Sequence, residues 1–247
     1  MAKIEKIEGI VLSVFDYGES SRILNILTAD YGVIGVIAKG SRNIKSPLCN
    51  VSQKLMHGNF YIYYKADKLS VLKEVDLLNG FFSIRNDIVK ISYALFLLDL
   101  AEQVYKESSE KTVFLEIINA LQKIATGFDP MVITLILKLR FLNYLGVAPV
   151  IDNCVVCGKT KGIKTLSVQK GGYLCQNCYQ TGKIYQSNTI KMFRMFYYVD
   201  IAKISKINIA TNVKTEINDF LEQYYRDYTG LSLRSNDFLK KICTLEE

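Results

Sequence analysis

Histidine is almost missing from this chain: His57 is the single one among 247 residues. That scarcity removes the commonest general base and the imidazole ligands on which catalytic zinc sites usually draw. His57 is followed by Gly58 and Asn59, so it also lacks the His-x-Glu pairing of zinc deaminases. A surface or packing role is what remains for it. Neither common glycine-rich phosphate loop occurs, so no nucleotide-hydrolysing engine is visible. No nucleophile–base pair stands out, and Glu5 with Glu8 or Glu246 with Glu247 read as exposed or terminal acids. Long apolar runs are lacking as well. "ISYALFLLDLA" breaks at Asp99 and "MVITLIL" stops at Lys138, short of the about 18 residues that a membrane span needs. The opening "MAKIEKIEGIVL" has neither the apolar core nor the cleavage site of a secretory signal. These absences predict a soluble, cytoplasmic protein with no membrane partner and no visible catalytic machinery.

Cysteine is sparse too, six in all, yet four of the six fall in "CVVCGKTKGIKTLSVQKGGYLCQNC" over residues 154–178. They form two Cys-x2-Cys pairs with seventeen residues between Cys157 and Cys175. A Cys-x2-Cys turn presents two sulfurs to one ion, and two such turns close a tetrahedral site, so the spacing is that of a zinc ribbon. In a reducing cytosol two disulfides are disfavoured, and the doubled motif matches poorly the single redox pair of thioredoxin-like dithiol enzymes. The expectation is one structural Zn(II) per chain, held by Cys154, Cys157, Cys175 and Cys178. Gly158 and "KGGY" fit a turn and a hairpin that bring the halves together. Cys49 and Cys243 stand alone and read as small hydrophobes.

The net charge of +7 is modest, so its distribution matters more. From Tyr31 to Ala66 there is no acid, while Lys39, Arg42, Lys45, Lys54 and Lys65 are present. A solvated face is one reading of such a tract; phosphate binding is the sharper one. Residues 151–186 carry a second excess of +4, with Lys159, Lys161, Lys164 and Lys170 between the cysteine pairs. Four thiolates and one Zn(II) sum to −2 and lower that excess to +2, so the segment is expected to stiffen rather than grip.

The first 80 residues read as five short strands, "GIVLSVF", "SRILNILT", "GVIGVIAKG", "GNFYIYY" and "LSVLKEVDLL". Five strands in that length suggest an OB-like β barrel, which binds single strands through cations and stacking aromatics. Tyr61 and Tyr63 offer such rings, although alternation turns about half of Phe60, Tyr61, Tyr63 and Tyr64 toward the core. From Ile84 the period becomes helical through Ile88, Ile91, Leu95, Leu98 and Ala101. A second helix follows over 112–124. A third has Asp129 as N-cap, Pro130 at the first position and Gly146 beyond its end. Two more are expected over 189–198 and 213–228. The fold class is therefore α+β and multidomain: an N-terminal five-stranded OB-like barrel over 1–80, then an α-helical domain over 81–247 with a four-cysteine zinc-ribbon-like module at 151–186.

"GIVLSVFDYGESSRILNILTADYGVIGVIAKGSRNIKS" resembles the opening of the RecO family of bacterial DNA repair and recombination mediators. "LRFLNYLGVAPVIDNCVVCGK" with "GGYLCQNC" resembles its helical core and zinc segment, and "YYRDYTGLSLRSNDFLKKI" its C-terminal helix and tail. The resemblance implies a non-catalytic protein of the bacterial cytoplasm and nucleoid. Such proteins bind single- and double-stranded DNA, anneal complementary strands, hold the acidic C-terminal tail of the single-stranded-DNA-binding protein, and with RecR load RecA. It makes Arg22, Lys39, Arg42 and Lys45 DNA-contacting candidates, to which the basic tract and its aromatics add Lys54, Tyr61 and Tyr63. Asn43 and Pro47 stand where further basic residues are expected, which weakens the predicted grip. The tail needs a cation beside an apolar pocket, and Lys138 and Arg140 with Phe141 and Leu142 supply that chemistry; core packing of the two apolar residues is the plain alternative. The competing function is a zinc-ribbon adaptor of transcription or translation that turns its basic tract toward acidic proteins.

Overall fold

A computed structural model describes residues 4–66, 68–231, 235, 239 and 242. Cys243, Glu246 and Glu247, and most of the tail beyond residue 231, lie outside the described residues. Five strands, β1 (Ile4–Tyr17), β2 (Ser21–Thr28), β3 (Gly32–Ala38), β4 (His57–Tyr63) and β5 (Ser70–Asn79), close a barrel in the order β1-β2-β3-β5-β4. All neighbours are antiparallel except β3 and β5, which touch as a short parallel pair at Val36↔Ser70 and Ile37↔Val71. This is the five-stranded barrel of the OB kind that the sequence predicts.

Closure depends on β1. Its residues Ile4–Ile10 pair with β4 and Gly9–Tyr17 with β2, and an irregularity between Val11 and Ser13 bends it from one partner to the other. Ile7, Val11, Leu24, Ile26, Val36, Phe60, Ile62 and Leu72 fill the interior, as strand alternation requires. The same alternation splits the β4 aromatics: Phe60 is in the core, while Tyr61 and Tyr63 are half-buried on the outside.

Helices α1 (Phe82–Arg85), α2 (Ile88–Ser108) and α3 (Thr112–Ala125) follow. Asp87 starts α2 by accepting hydrogen bonds from the Val89 and Lys90 amides. α2 lies against the barrel so closely at Gly32, where φ is +67°, that a Cβ there would sit 1.7 Å from the Tyr105 hydroxyl. Asn25 Nδ2 of β2 donates to Glu102 Oε1 of the same helix at 3.4 Å. His57 is buried, 2.9 Å from Glu8 through Nε2, with its ring edge-on to Phe114, which is a packing role.

The chain continues with α4 (Pro130–Tyr144), a hairpin of β6 (Ile163–Ser167) and β7 (Gly172–Cys175), α5 (Ser187–Tyr198) and α6 (Thr211–Tyr228). α4 begins as predicted: Asp129 Oδ1 accepts from the Met131 and Val132 amides, Pro130 opens the helix, and Gly146 beyond it has φ +72°. Asp129 Oδ2 is also paired with Lys214 Nζ at 2.7 Å. α4, α5 and α6 pack on one another around Leu137, Phe141, Phe193, Phe220 and Leu221. Among the described residues two compact units emerge, one running to Thr126 and including residues 235, 239 and 242, the other starting at Gly127. The first unit keeps α1–α3 with the barrel. No helix of the described residues is long and apolar enough to cross a membrane.

Candidate metal centre and nucleic-acid interface

The Sγ atoms of Cys154, Cys157, Cys175 and Cys178 all lie within 4.8 Å of one another. Two turns and one hairpin gather them. The Gly158 amide donates to Cys154 O at 2.8 Å, with Gly158 at φ +73°, and closes the first Cys-x2-Cys turn. The Cys178 and Tyr179 amides donate to Cys175 O and close the second. β6 and β7 then bring the two together, because β7 ends on Cys175 and the Val155 amide donates to Tyr173 O at 2.9 Å.

The thiols of Cys154 and Cys178 are shifted in opposite directions. Burial pushes the Cys154 thiol up, but the amides of Cys175, Cys157 and Val156 outweigh it and bring it down to about 6. Cys178 is pushed up to about 12, chiefly by its contacts with the Cys157 and Cys175 thiols. Thiolates gathered this closely repel one another, a conflict that a shared dication removes. Four sulfurs around one Zn(II) at about 2.3 Å lie roughly 3.8 Å apart, and the Cys157–Cys175 separation is 3.6 Å. The donor set can hold a metal ion, and it fits a closed, four-sulfur site.

The basic tract occupies the long connection between β3 and β4. Lys39, Arg42, Lys45 and Lys54 are exposed on it. Arg22 is not a free surface cation: half-buried, it donates to the Cys49 and Ser52 carbonyls at 3.3 Å and ties this connection to β2. Arg42 is anchored at its base, with its amide donating to Ser20 O and its Nη1 to Gly18 O. The tract contains no acid in sequence, but folding brings one to it. Asp16, at the end of β1, lies 3.8 Å from Arg22 Nε and 3.4 Å from Arg42 Nε. Only the β1–β2 hairpin register, Asp16↔Arg22, makes that neighbour visible. Tyr61 directs its hydroxyl to Asp76 at 2.7 Å and Tyr63 lies on the same outer face, away from the loop cations in sequence but on the same barrel.

Lys138 and Arg140 do not form the exposed cationic pair expected of a tail receptor. Lys138 is only 3% exposed; its Nζ is paired with Glu222 at 3.0 Å and sits 5.5 Å from the Tyr225 ring centre. Phe141 and Leu142 are wholly buried in the core of the helical unit. Arg140 is half-buried and donates through Nη2 to Val199 O at 2.8 Å. The sequence places Lys138 on an almost continuously apolar helix, and α6 provides Glu222 to neutralise it there.

An OB-type barrel with a basic β3–β4 connection, followed by helices that carry a four-cysteine centre, defines the class of protein. Residues 1–81 match the family model described as "Recombination protein O N terminal" and residues 85–237 the one described as "Recombination protein O C terminal". The chain is 31% identical over 243 residues to the DNA repair protein RecO of Bacillus subtilis, with 97% of this chain and 95% of the relative covered. It is similarly 31% identical to that of Bacillus velezensis, and 29% identical to that of Listeria monocytogenes serotype 4b, over the same shares. The chain belongs to the RecO family of DNA repair proteins.

Proposed function

We propose that this protein is a DNA-binding recombination mediator: it binds single- and double-stranded DNA, anneals complementary strands, and with RecR helps to load RecA where the single-stranded-DNA-binding protein covers the substrate. The observation that carries this reading is the cluster of exposed Lys39, Arg42 and Lys45 on a connection tied down to the barrel by Arg22 and by Arg42's own backbone. A connection fixed in this way holds its cations at set positions, and fixed cations suit a regularly charged phosphate chain. One Zn(II), held by Cys154, Cys157, Cys175 and Cys178, would serve as the structural ion of the helical unit. Capture of the partner's acidic tail belongs to the same reading, with Arg140 rather than Lys138 as the cation able to meet it.

The test is the salt dependence of DNA affinity. Each lost phosphate contact reduces the log–log slope by about 0.7 on single strands and about 0.9 on duplex. Arg42→Ala with Lys45→Ala is expected to flatten it by about 1.4 on single strands and about 1.8 on duplex. Unchanged affinity and slope would remove the β3–β4 connection from the interface.

A further inference from the structure

The strand registers align one more feature across the outside of the barrel. Phe15 of β1 is paired with Ile23 of β2, Ile23 with Ile37 of β3, Ile37 with Val71 of β5, and Val71 with Tyr63 of β4. These five apolar side chains form one row, because their inward neighbours Leu24, Val36, Ile62 and Leu72 fill the core. The row crosses four interstrand gaps of about 4.8 Å, or about 19 Å in all. Ile23, Ile37, Val71 and Tyr63 are half-buried, and Phe15 is 54% exposed. Tyr17, two residues beyond Phe15 and so on the same face, is 52% exposed. Two aromatic rings this open at a strand end add less to the barrel by burial than the rings of its core do. Cations border the row: Lys39 directly follows β3, two residues beyond Ile37, and Lys73 is exposed two residues beyond Val71.

We infer that this row is a base-stacking track for single-stranded DNA, with Phe15 and Tyr17 supplying the open stacking faces and Lys39 with the β3–β4 cations holding the phosphates. The inference rests on the DNA-binding reading above and divides its interface in two. Apolar, aromatic surface with cations along its border matches a strand whose bases are unpaired. A duplex hides its base faces and meets only the cations. Single- and double-stranded substrates therefore share the phosphate contacts and differ at the row.

The experiment compares three probes on the full chain: an oligo-dT strand, an abasic strand of equal length, and a duplex. Phe15→Ala and Tyr17→Ala are each expected to weaken the dT strand about tenfold, the size of one stacking contact, with the salt slope unchanged. Affinity for the abasic strand and the duplex should stay at wild-type values, and Phe15→Tyr should retain dT binding. Both side chains are half exposed, so the variants should stay folded and lose only a few degrees of melting temperature. Unchanged dT affinity in both alanine variants, or an equal loss on all three probes, would overturn the track. If the wild-type protein binds none of the three, the DNA-binding reading falls and the track falls with it.

Discussion

Single side chains in this protein often answer to neighbours far away in sequence. Lys138 is the sharpest instance: its charge is buried on α4 and neutralised by Glu222, 84 residues later on α6. Lys138→Glu is expected to destabilise the helical unit by about 3–5 kcal/mol, because it breaks a buried pair and puts two acids together. Replacing both partners, Lys138→Met with Glu222→Leu, should cost far less, because no uncompensated charge is left behind. Chemical denaturation of the two variants checks the order. A Lys138→Glu variant that fails to capture an acidic peptide would accordingly report on folding. The cysteines are the opposite case, since local spacing alone predicts their meeting. Stripping the metal with a chelator is expected to release one zinc per chain and to expose four additional titratable thiols, and Cys154→Ser should lower the melting temperature even in excess zinc. Elemental analysis with thiol titration reads both; absence of zinc from protein purified without chelator would refute the assignment.

At the scale of elements, caps and alternation explain what the sequence makes legible. Asp129 and Pro130 announce α4, and the structure realises both. Asp87 does the same work for α2 and passes unnoticed in the sequence, because its helix is recognisable by its apolar period before any cap is sought. The Lys90 amide leads the contacts that hold the Asp87 carboxyl below the usual aspartate range. A lowered folded pKa means that its contribution is present above the unfolded pKa and is lost as pH falls through the folded value. Asp87→Ala is expected to cost about 1 kcal/mol at neutral pH and less in acid, the low figure suiting a side chain 39% exposed. Asp87→Asn should keep the cap and remove that pH dependence, which urea denaturation at neutral and acidic pH can check. The β3–β4 connection is less legible. Its cations are plain in the sequence, but Arg22's role as a brace and the approach of Asp16 depend on a hairpin register that no local pattern encodes.

For the whole molecule, the sequence reveals the barrel, the helices and the cysteine centre because each is written in local periods or spacings. Long-range registers decide the remainder. The first half of β1 is the clearest loss: "IEKIE" reads as a charged lead-in, yet it is the segment that pairs with β4 and closes the barrel. Its charges have a further meaning when the order of synthesis is considered. β2 and β3 emerge soon after β1 and can pair at once, but β4 begins only at His57. Until then residues 4–8 present an unpaired strand edge, the kind of surface through which nascent chains join one another. Glu5, Lys6 and Glu8 then act as guards of a temporary edge, and Lys6, exposed and 5.9 Å from the Tyr61 ring centre, is the one with least to do in the finished barrel. Lys6→Val is expected to leave the melting temperature nearly unchanged while raising light scattering during refolding from denaturant. The long first strand would thus be shaped as much by the interval before its partner arrives as by the barrel that it finally closes.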